Sequence, residues 1–93
     1  MIILSIRYTA PLEEVELLRE AHLDWLRRGY EAGHFTGWGR KTPLNGGIVL
    51  ARGDRTEIEA LAQTDPFVAG KVAIVELIEW TPAFLAEGVT LEP

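Results

Sequence analysis

The fold class that this sequence predicts is α+β, with the elements in the order β-α-β-β-α-β. Three observations lead to this prediction. Four short segments, most of them strongly apolar, have the length and pattern of strands. Two segments between them repeat apolar residues with the period of a helix. With 93 residues, of which 47% are apolar, the chain has the size of one domain with one core.

The first half of the chain predicts a strand followed by a long amphipathic helix. The strand covers residues 2–9, where alternate side chains fall on opposite faces. The helix begins near Pro11, a residue tolerated in a first helical turn, and runs to about Glu31, before Gly33 ends it. Its apolar face consists of Val15, Leu18, His22, Trp25, Leu26 and Gly29. This face is expected to lie on a sheet.

Three further strands are predicted over residues 35–41, 48–51 and 71–80, with a hairpin turn at Asn45 and Gly46. The second of them is wholly apolar, so we expect it in the middle of the sheet.

The remaining sequence signals indicate where the later helices begin and where the domain ends. Asp54 begins a second helix as its cap, and Asp65 with Pro66 begins a further helical turn. The complete order is the split βαβ pattern of ferredoxin-like domains, which contain an antiparallel sheet. We assign residues 1–82 to this domain. Residues 83–93 form a C-terminal tail that is expected to pack on the domain or on a dimer partner.

Composition narrows the classes of function. The net charge is −5 and no basic run occurs, so nucleic acid and membrane surfaces are not expected as partners. The chain has no cysteine, which excludes disulfides and thiolate chemistry. The first residues lack the pattern of a targeting or membrane-spanning segment, so we expect a cytoplasmic protein.

The predicted layout also indicates an oligomer. Two helices cover one face of the sheet, and apolar strand residues remain on the other face. A second copy, stacked sheet against sheet, would cover them and give a homodimer of the dimeric α+β barrel type.

His22 is the first candidate for a functional residue, because it lies at the centre of the apolar helix face. A buried imidazole needs a hydrogen-bond partner, and it titrates near neutral pH, as a general acid or base must. The alternative interpretation is a core histidine that a backbone carbonyl satisfies.

Asp65 is the candidate partner of His22. A carboxylate bound to an imidazole fixes its tautomer and favours the charged ring. Asp65 also precedes Pro66, and such an aspartate often serves only as a helix cap. Both roles together are compatible with the sequence.

Three further residues are candidates for substrate binding. Arg19 lies one turn before His22, where it either meets an anionic group of a substrate or pairs with a surface carboxylate. Tyr8 and Trp38 are expected to line an aromatic pocket. The spacing of histidines and carboxylates does not fit a metal motif, and no phosphate loop or nucleophile elbow is present. We therefore expect no metal and no organic cofactor.

An ordered set of short segments resembles a known family. They are Arg7-Tyr8-Thr9, Arg19-x-x-His22-Leu23, Ala32-Gly33-His34-Phe35, Gly46-Gly47, Asp65-Pro66-Phe67 and Glu79-Trp80-Thr81-Pro82. Over about residues 1–82 the sequence resembles the YciI-like (YCII-related) family. The resemblance implies a ferredoxin-like fold that dimerises into an α+β barrel. It also implies a pocket with a His-Asp dyad, here His22 and Asp65, that acts without a cofactor.

The same resemblance implies elimination or related chemistry on a small aromatic or hydroxylated molecule. One segment departs from the family, because Trp38-Gly39-Arg40 stands where family members often have Ser-Gly-Pro. The substitution alters the size and the charge of the expected pocket.

Two classes of function follow. One is a cofactor-free enzyme in which His22 moves a proton and Asp65 orients it. The other is a non-catalytic module for small-molecule binding or dimeric assembly, in which His22 is a satisfied core residue. A monooxygenase or isomerase has the support of fold analogy alone.

Overall fold

The computed structural model describes residues 1–89. It contains four strands and four helices in the predicted alternation. They are β1 (Ile2–Tyr8), α1 (Leu12–Glu16), α2 (Arg19–Glu31), β2 (Phe35–Arg40), β3 (Gly46–Ala51), α3 (Arg55–Ala62), α4 (Pro66–Ala69) and β4 (Ala73–Glu79).

The strands form one antiparallel sheet in the order β2-β3-β1-β4. This order is the one expected of the split βαβ pattern, and the α+β fold class is confirmed. The register fixes which side chains share a face. Ile6 lies opposite Gly47 on β3 and opposite Val75 on β4, and Gly47 in turn lies opposite Arg40 on β2.

The core lies between the helices and one face of the sheet. Ile2, Leu4 and Ile6 alternate along β1, and each is at most 2% exposed. From α2, Trp25 and Leu26 pack onto this face and are also buried. The predicted apolar face of the helix therefore points towards the sheet, as its 3.6-residue period indicated.

The single helix predicted between Pro11 and Glu31 is wrong in one respect, because the structure divides it at Leu17 and Leu18. The backbone of Leu18 leaves the helical region (φ −107°, ψ 5°). Leu18 packs against the end of α4 so closely that a side chain at Gly70 would overlap it. This tertiary contact, which the local sequence does not encode, lies at the break between α1 and α2. Leu17 is left 83% exposed.

Two strands also begin at a different residue from the one predicted. β3 begins at Gly46, because this residue still pairs with Arg7 of β1. β4 begins at Ala73, since Lys71 has a positive φ of 62° and turns the chain before the strand.

Beyond β4, Phe84 is 83% exposed within the described chain. Leu91 of the predicted tail lies outside the described residues.

Candidate active site

A cavity of about 240 Å³ opens between the helical layer and the three strands β1, β3 and β2 of the sheet. Its floor is Ile6, Gly47 and Val49, and α1 and α2 form one wall. Gly47 occupies the position between Ile6 and Arg40 in a cross-strand row, and it has no side chain to fill the space above the sheet. The strand register therefore places a glycine at the point where a larger side chain would fill the cavity.

His22 and Asp65 meet at one side of this cavity. Nδ1 of His22 donates to Oδ1 of Asp65 at 2.7 Å. His22 comes from the first turns of α2, and Asp65 is the residue that caps α4. The carboxylate is fully buried, whereas the imidazole is 13% exposed and lines the cavity. The contact predicted from helical phase is thus present in the structure.

Asp65 performs the capping role at the same time. Its Oδ1 also accepts a hydrogen bond from the backbone N–H of Phe67 at 3.0 Å. Oδ2 has no hydrogen-bond partner within residues 1–89. One carboxylate oxygen therefore binds both the helix end and the imidazole, so the ring is held against a fixed backbone element.

This arrangement leaves one ring nitrogen of His22 for chemistry. Because an ionised carboxylate only accepts hydrogen bonds, Nδ1 carries the proton of the contact. Nε2 is then the basic nitrogen of the neutral ring, and no described residue binds it. A histidine held in this way can accept a proton at Nε2 while the carboxylate stabilises the charged ring.

Aromatic packing fixes the orientation of the imidazole further. Phe67 stacks on the His22 ring with centroids 3.9 Å apart and planes 11° from parallel. Tyr8 meets Phe67 edge-on at 5.7 Å. Sequence reasoning did not assign this role to Phe67. Its position two residues after Asp65, at the start of the same helical turn, was the available signal.

Trp25 provides a second tie between α2 and the segment before α4. Its indole Nε1 donates to Oγ1 of Thr64 at 2.9 Å, and Thr64 directly precedes Asp65. Since Trp25 is one turn after His22, two neighbouring side chains of α2 hold two consecutive residues near α4.

The other three candidates also line the cavity. They are Tyr8, Arg19 and Trp38. Arg19 lies 4.0 Å from Glu16 and remains half exposed, so its pairing with that carboxylate is loose. Arg40, noted in the sequence only as an added charge, lines the cavity beside Trp38.

Burial raises the pKa of the Tyr8 phenol above its ordinary value of 10.0. The nearby positive charges of Arg40 and Arg19 oppose this shift, while Glu16 and Asp65 add to it. Tyr8 is therefore protonated at neutral pH and can donate a hydrogen bond into the cavity.

We expect Tyr8 in a Tyr30→Phe variant, where it is the sole tyrosine, to ionise above pH 10.0 in the folded protein. In denaturant the same phenol should ionise near its ordinary value. Because the folded pKa is the higher one, this contribution to stability is fully present below about pH 10 and is lost as pH rises through the folded pKa. Ultraviolet absorbance titration measures both transitions, and coincident folded and unfolded curves would contradict the burial of Tyr8.

Within residues 1–89, the structure has no group of three or more His, Asp or Glu side chains that could hold a metal ion. No helix in the described part of the chain is long and apolar enough to cross a membrane.

Fold and site together define a ferredoxin-like α+β domain with a buried His-Asp pair beside a cavity. Residues 1–81 match the family model described as the YCII-related domain, and the chain belongs to this family. No curated protein sequence matches the chain significantly.

One similar solved structure is 5-chloro-2-hydroxyhydroquinone dehydrochlorinase (TftG) from Burkholderia phenoliruptrix AC1100, in complex with 2,5-dihydroxybenzoquinone. The two chains are 17% identical, and the TM-score is 0.70. The similarity covers 87% of this chain and 94% of the other. At this identity the likeness establishes the shared fold alone.

Proposed function

We propose that this protein is a cofactor-independent enzyme that transfers a proton on, or eliminates a group from, a small hydroxylated aromatic molecule. The observation that carries the proposal is the bond between His22 Nδ1 and Asp65 Oδ1, which leaves Nε2 as a base beside a cavity. A satisfied core histidine needs no such opening. The dehydrochlorinase activity of the similar structure acts on a molecule of this class.

The proposed roles follow from the geometry. His22 Nε2 takes a proton from a substrate hydroxyl or from the carbon beside it, and Asp65 stabilises the resulting imidazolium. In an elimination, the electron pair released at that site forms a new double bond, and the leaving group departs with its own bonding pair. The proton and the leaving group account for all that is lost, so no oxidant is required. Tyr8, as a protonated phenol, donates to a developing oxyanion.

The test is an assay of ring-hydroxylated substrates with and without a chlorine substituent. Release of chloride reports elimination, and exchange of ring hydrogen for solvent deuterium reports proton transfer alone. We expect His22→Asn to lower the rate by about 10²- to 10⁴-fold, the usual contribution of a general base. His34→Asn is the matched control, because His34 does not line the cavity, and it should retain the rate.

Two outcomes would overturn the proposal. Equal rates in His22→Asn and in the unaltered protein would remove His22 from the reaction. Binding of the aromatic molecules in the cavity without turnover or exchange would favour the non-catalytic binding module instead.

We also propose that the protein forms a homodimer through the sheet face that no helix covers. Ile74 and Ile78 on this face are 50% and 43% exposed, and Ile3 lies beside Ile78 in the register. Exposed apolar side chains on an uncovered sheet face mark an interaction site, and a second copy offers the same side chains.

Light scattering at micromolar concentration should therefore give twice the mass of the chain. Ile78→Lys places a charge in the proposed interface and should shift the mass towards the monomer. Leu17→Lys is the control, because Leu17 is 83% exposed on the helical layer, and the dimer should persist. A stable monomer of the unaltered protein would refute the interface.

A further inference from the structure

Arg40 and Trp38 lie on the same side of the sheet. Both belong to the segment Trp38-Gly39-Arg40, which stands where family members often have Ser-Gly-Pro. Trp38 lies opposite Val49, and Arg40 lies opposite Gly47. Since alternate residues of a strand share a face, both side chains stand on the helix-facing side, where the cavity is. Gly47 leaves the space beside Arg40 open. The two residues that alter the family pattern thus form one wall of the proposed active site.

Arg40 is a cation without a partner in the described chain. Its guanidinium group makes no ion pair and no hydrogen bond with residues 1–89. Arg19, the second arginine of the cavity, comes no closer than 4.0 Å to a carboxylate oxygen of Glu16, so this ion pair is loose. The chain as a whole carries a net charge of −5, so carboxylates are plentiful elsewhere. The cavity nevertheless retains one unpaired positive charge.

Arg40, Arg19 and Tyr8 all line this cavity. Burial is the stronger influence and raises the pKa of Tyr8, but both arginines act to lower it, as cations within electrostatic reach do. Two guanidinium groups and one protonated phenol therefore line the same cavity. All three are hydrogen-bond donors, and a carboxylate only accepts.

The size and the remaining walls indicate what accompanies the carboxylate. The cavity of about 240 Å³ lies below the range of roughly 300–1,000 Å³ typical of sites for drug-sized ligands. Its floor is apolar, and Trp38 contributes an indole that is 44% exposed. A single ring with one acidic substituent satisfies both the volume and the apolar surface.

Resting on the enzyme function above, we propose that the substrate is a ring-hydroxylated aromatic carboxylate, whose carboxylate binds Arg40 and Arg19 and whose ring lies beside Trp38. The guanidinium fork matches a carboxylate in two parallel hydrogen bonds. With its carboxylate bound to the arginines, the ring extends across Gly47 towards His22. Arg40 is a specificity-determining residue, and neutral hydroquinones are the poorer ligands.

Isothermal titration calorimetry with a matched pair of ligands tests this directly. The probes are 2,5-dihydroxybenzoate and its neutral amide, 2,5-dihydroxybenzamide, which has nearly the same shape. We expect the acid to bind the unaltered protein about 10- to 100-fold more tightly than the amide at low salt, as for hydrogen bonds to charged groups. Added salt should reduce the preference, because it screens an exposed charge.

Three variants assign the preference to Arg40. Arg40→Met should remove most of it, because only Arg19 remains, and should weaken binding of the acid far more than binding of the amide. Arg40→Lys should retain a larger part of it. Arg27→Met is the matched control, because Arg27 pairs with Asp24 on the outer face of α2 and does not line the cavity. It should bind the acid as the unaltered protein does. Circular dichroism establishes that each variant is folded, and Arg40→Lys serves if Arg40→Met is not.

Equal affinities for the acid and the amide, or a preference that is undiminished in Arg40→Met, would overturn this proposal. His22→Asn separates it from the proposed catalysis, since it should bind 2,5-dihydroxybenzoate normally but not turn it over. Turnover of neutral hydroquinones that depends on His22, without a preference for the acid, would refute the carboxylate site alone. An acid preference with no turnover of any ring compound would refute the catalytic proposal and the assignment of the acid as its substrate.

Discussion

Gly46→Ala is expected to lower the free energy of unfolding by more than about 4 kcal/mol, a loss found only for severe disruptions of the native structure. A Cβ at Gly46 would overlap the carbonyl oxygen of Ile6, and it would lie 2.9 Å from the Ile6 carbonyl carbon and 3.1 Å from Cα of Arg7. These are backbone atoms of β1, in the centre of the sheet. They cannot move aside without separating β1 from β3.

Gly39→Ala is the matched control for this prediction. Gly39 lies in the neighbouring strand β2, and an added Cβ there would have no atom within 4 Å. Both substitutions reduce the freedom of the unfolded chain equally, which by itself stabilises by about 0.4–1 kcal/mol. Urea unfolding followed by circular dichroism compares the two. A Gly46→Ala protein within about 1 kcal/mol of the unaltered one, the level of ordinary surface changes, would show that the pairing of β1 with β3 is misassigned.

The order of the elements was predictable from the sequence because each element has its own local signal. The alternation along β1 and the 3.6-residue period of Val15, Trp25 and Leu26 follow from which side chains are buried, and the structure buries those side chains. The break at Leu18 was not predictable. It lies at a contact with Gly70, a residue more than 50 positions away in the sequence.

The contact between His22 and Asp65 was partly predictable. Helical phase put His22 on the inner side of the helix, and the fold placed the turn at Asp65 beside it. That both functions of Asp65 fall on one oxygen was not predictable, because this depends on the side-chain rotamer in the folded core. The stacking of Phe67 on His22 has the same origin.

The cavity could not be predicted from the sequence, because it depends on the strand register. Gly47 and Arg40 carry no signal of a site in the sequence, and a shift of one residue would turn them to the opposite face. Only the pairing of Gly47 with both Ile6 and Arg40 creates a space over the sheet. The segment Trp38-Gly39-Arg40, which departs from the family, could be assigned to the cavity wall only from this register, which places Trp38 and Arg40 on one face.

Asp65→Ala should cost considerably more stability than Asp54→Ala, although both aspartates cap a helix. Asp54 caps α3 through the backbone N–H groups of Thr56 and Glu57 at 3.1 and 3.2 Å, and it is exposed. The loss of such a cap costs about 0.5–2 kcal/mol. Removal of Asp65 also leaves Nδ1 of the largely buried His22 without a partner, which adds about 1–3 kcal/mol.

We therefore expect Asp65→Ala to lower the free energy of unfolding by about 1.5–5 kcal/mol in a urea titration, as the sum of these two losses. Asp65→Asn should cost less, because its amide oxygen can still accept from Phe67 and from His22. Nitrogen NMR of His22 should show the proton on Nδ1 in the unaltered protein and a mixture of tautomers in Asp65→Ala. If Asp65→Ala loses no more stability than Asp54→Ala and the His22 spectrum is unchanged, the carboxylate is a helix cap and does not hold the imidazole.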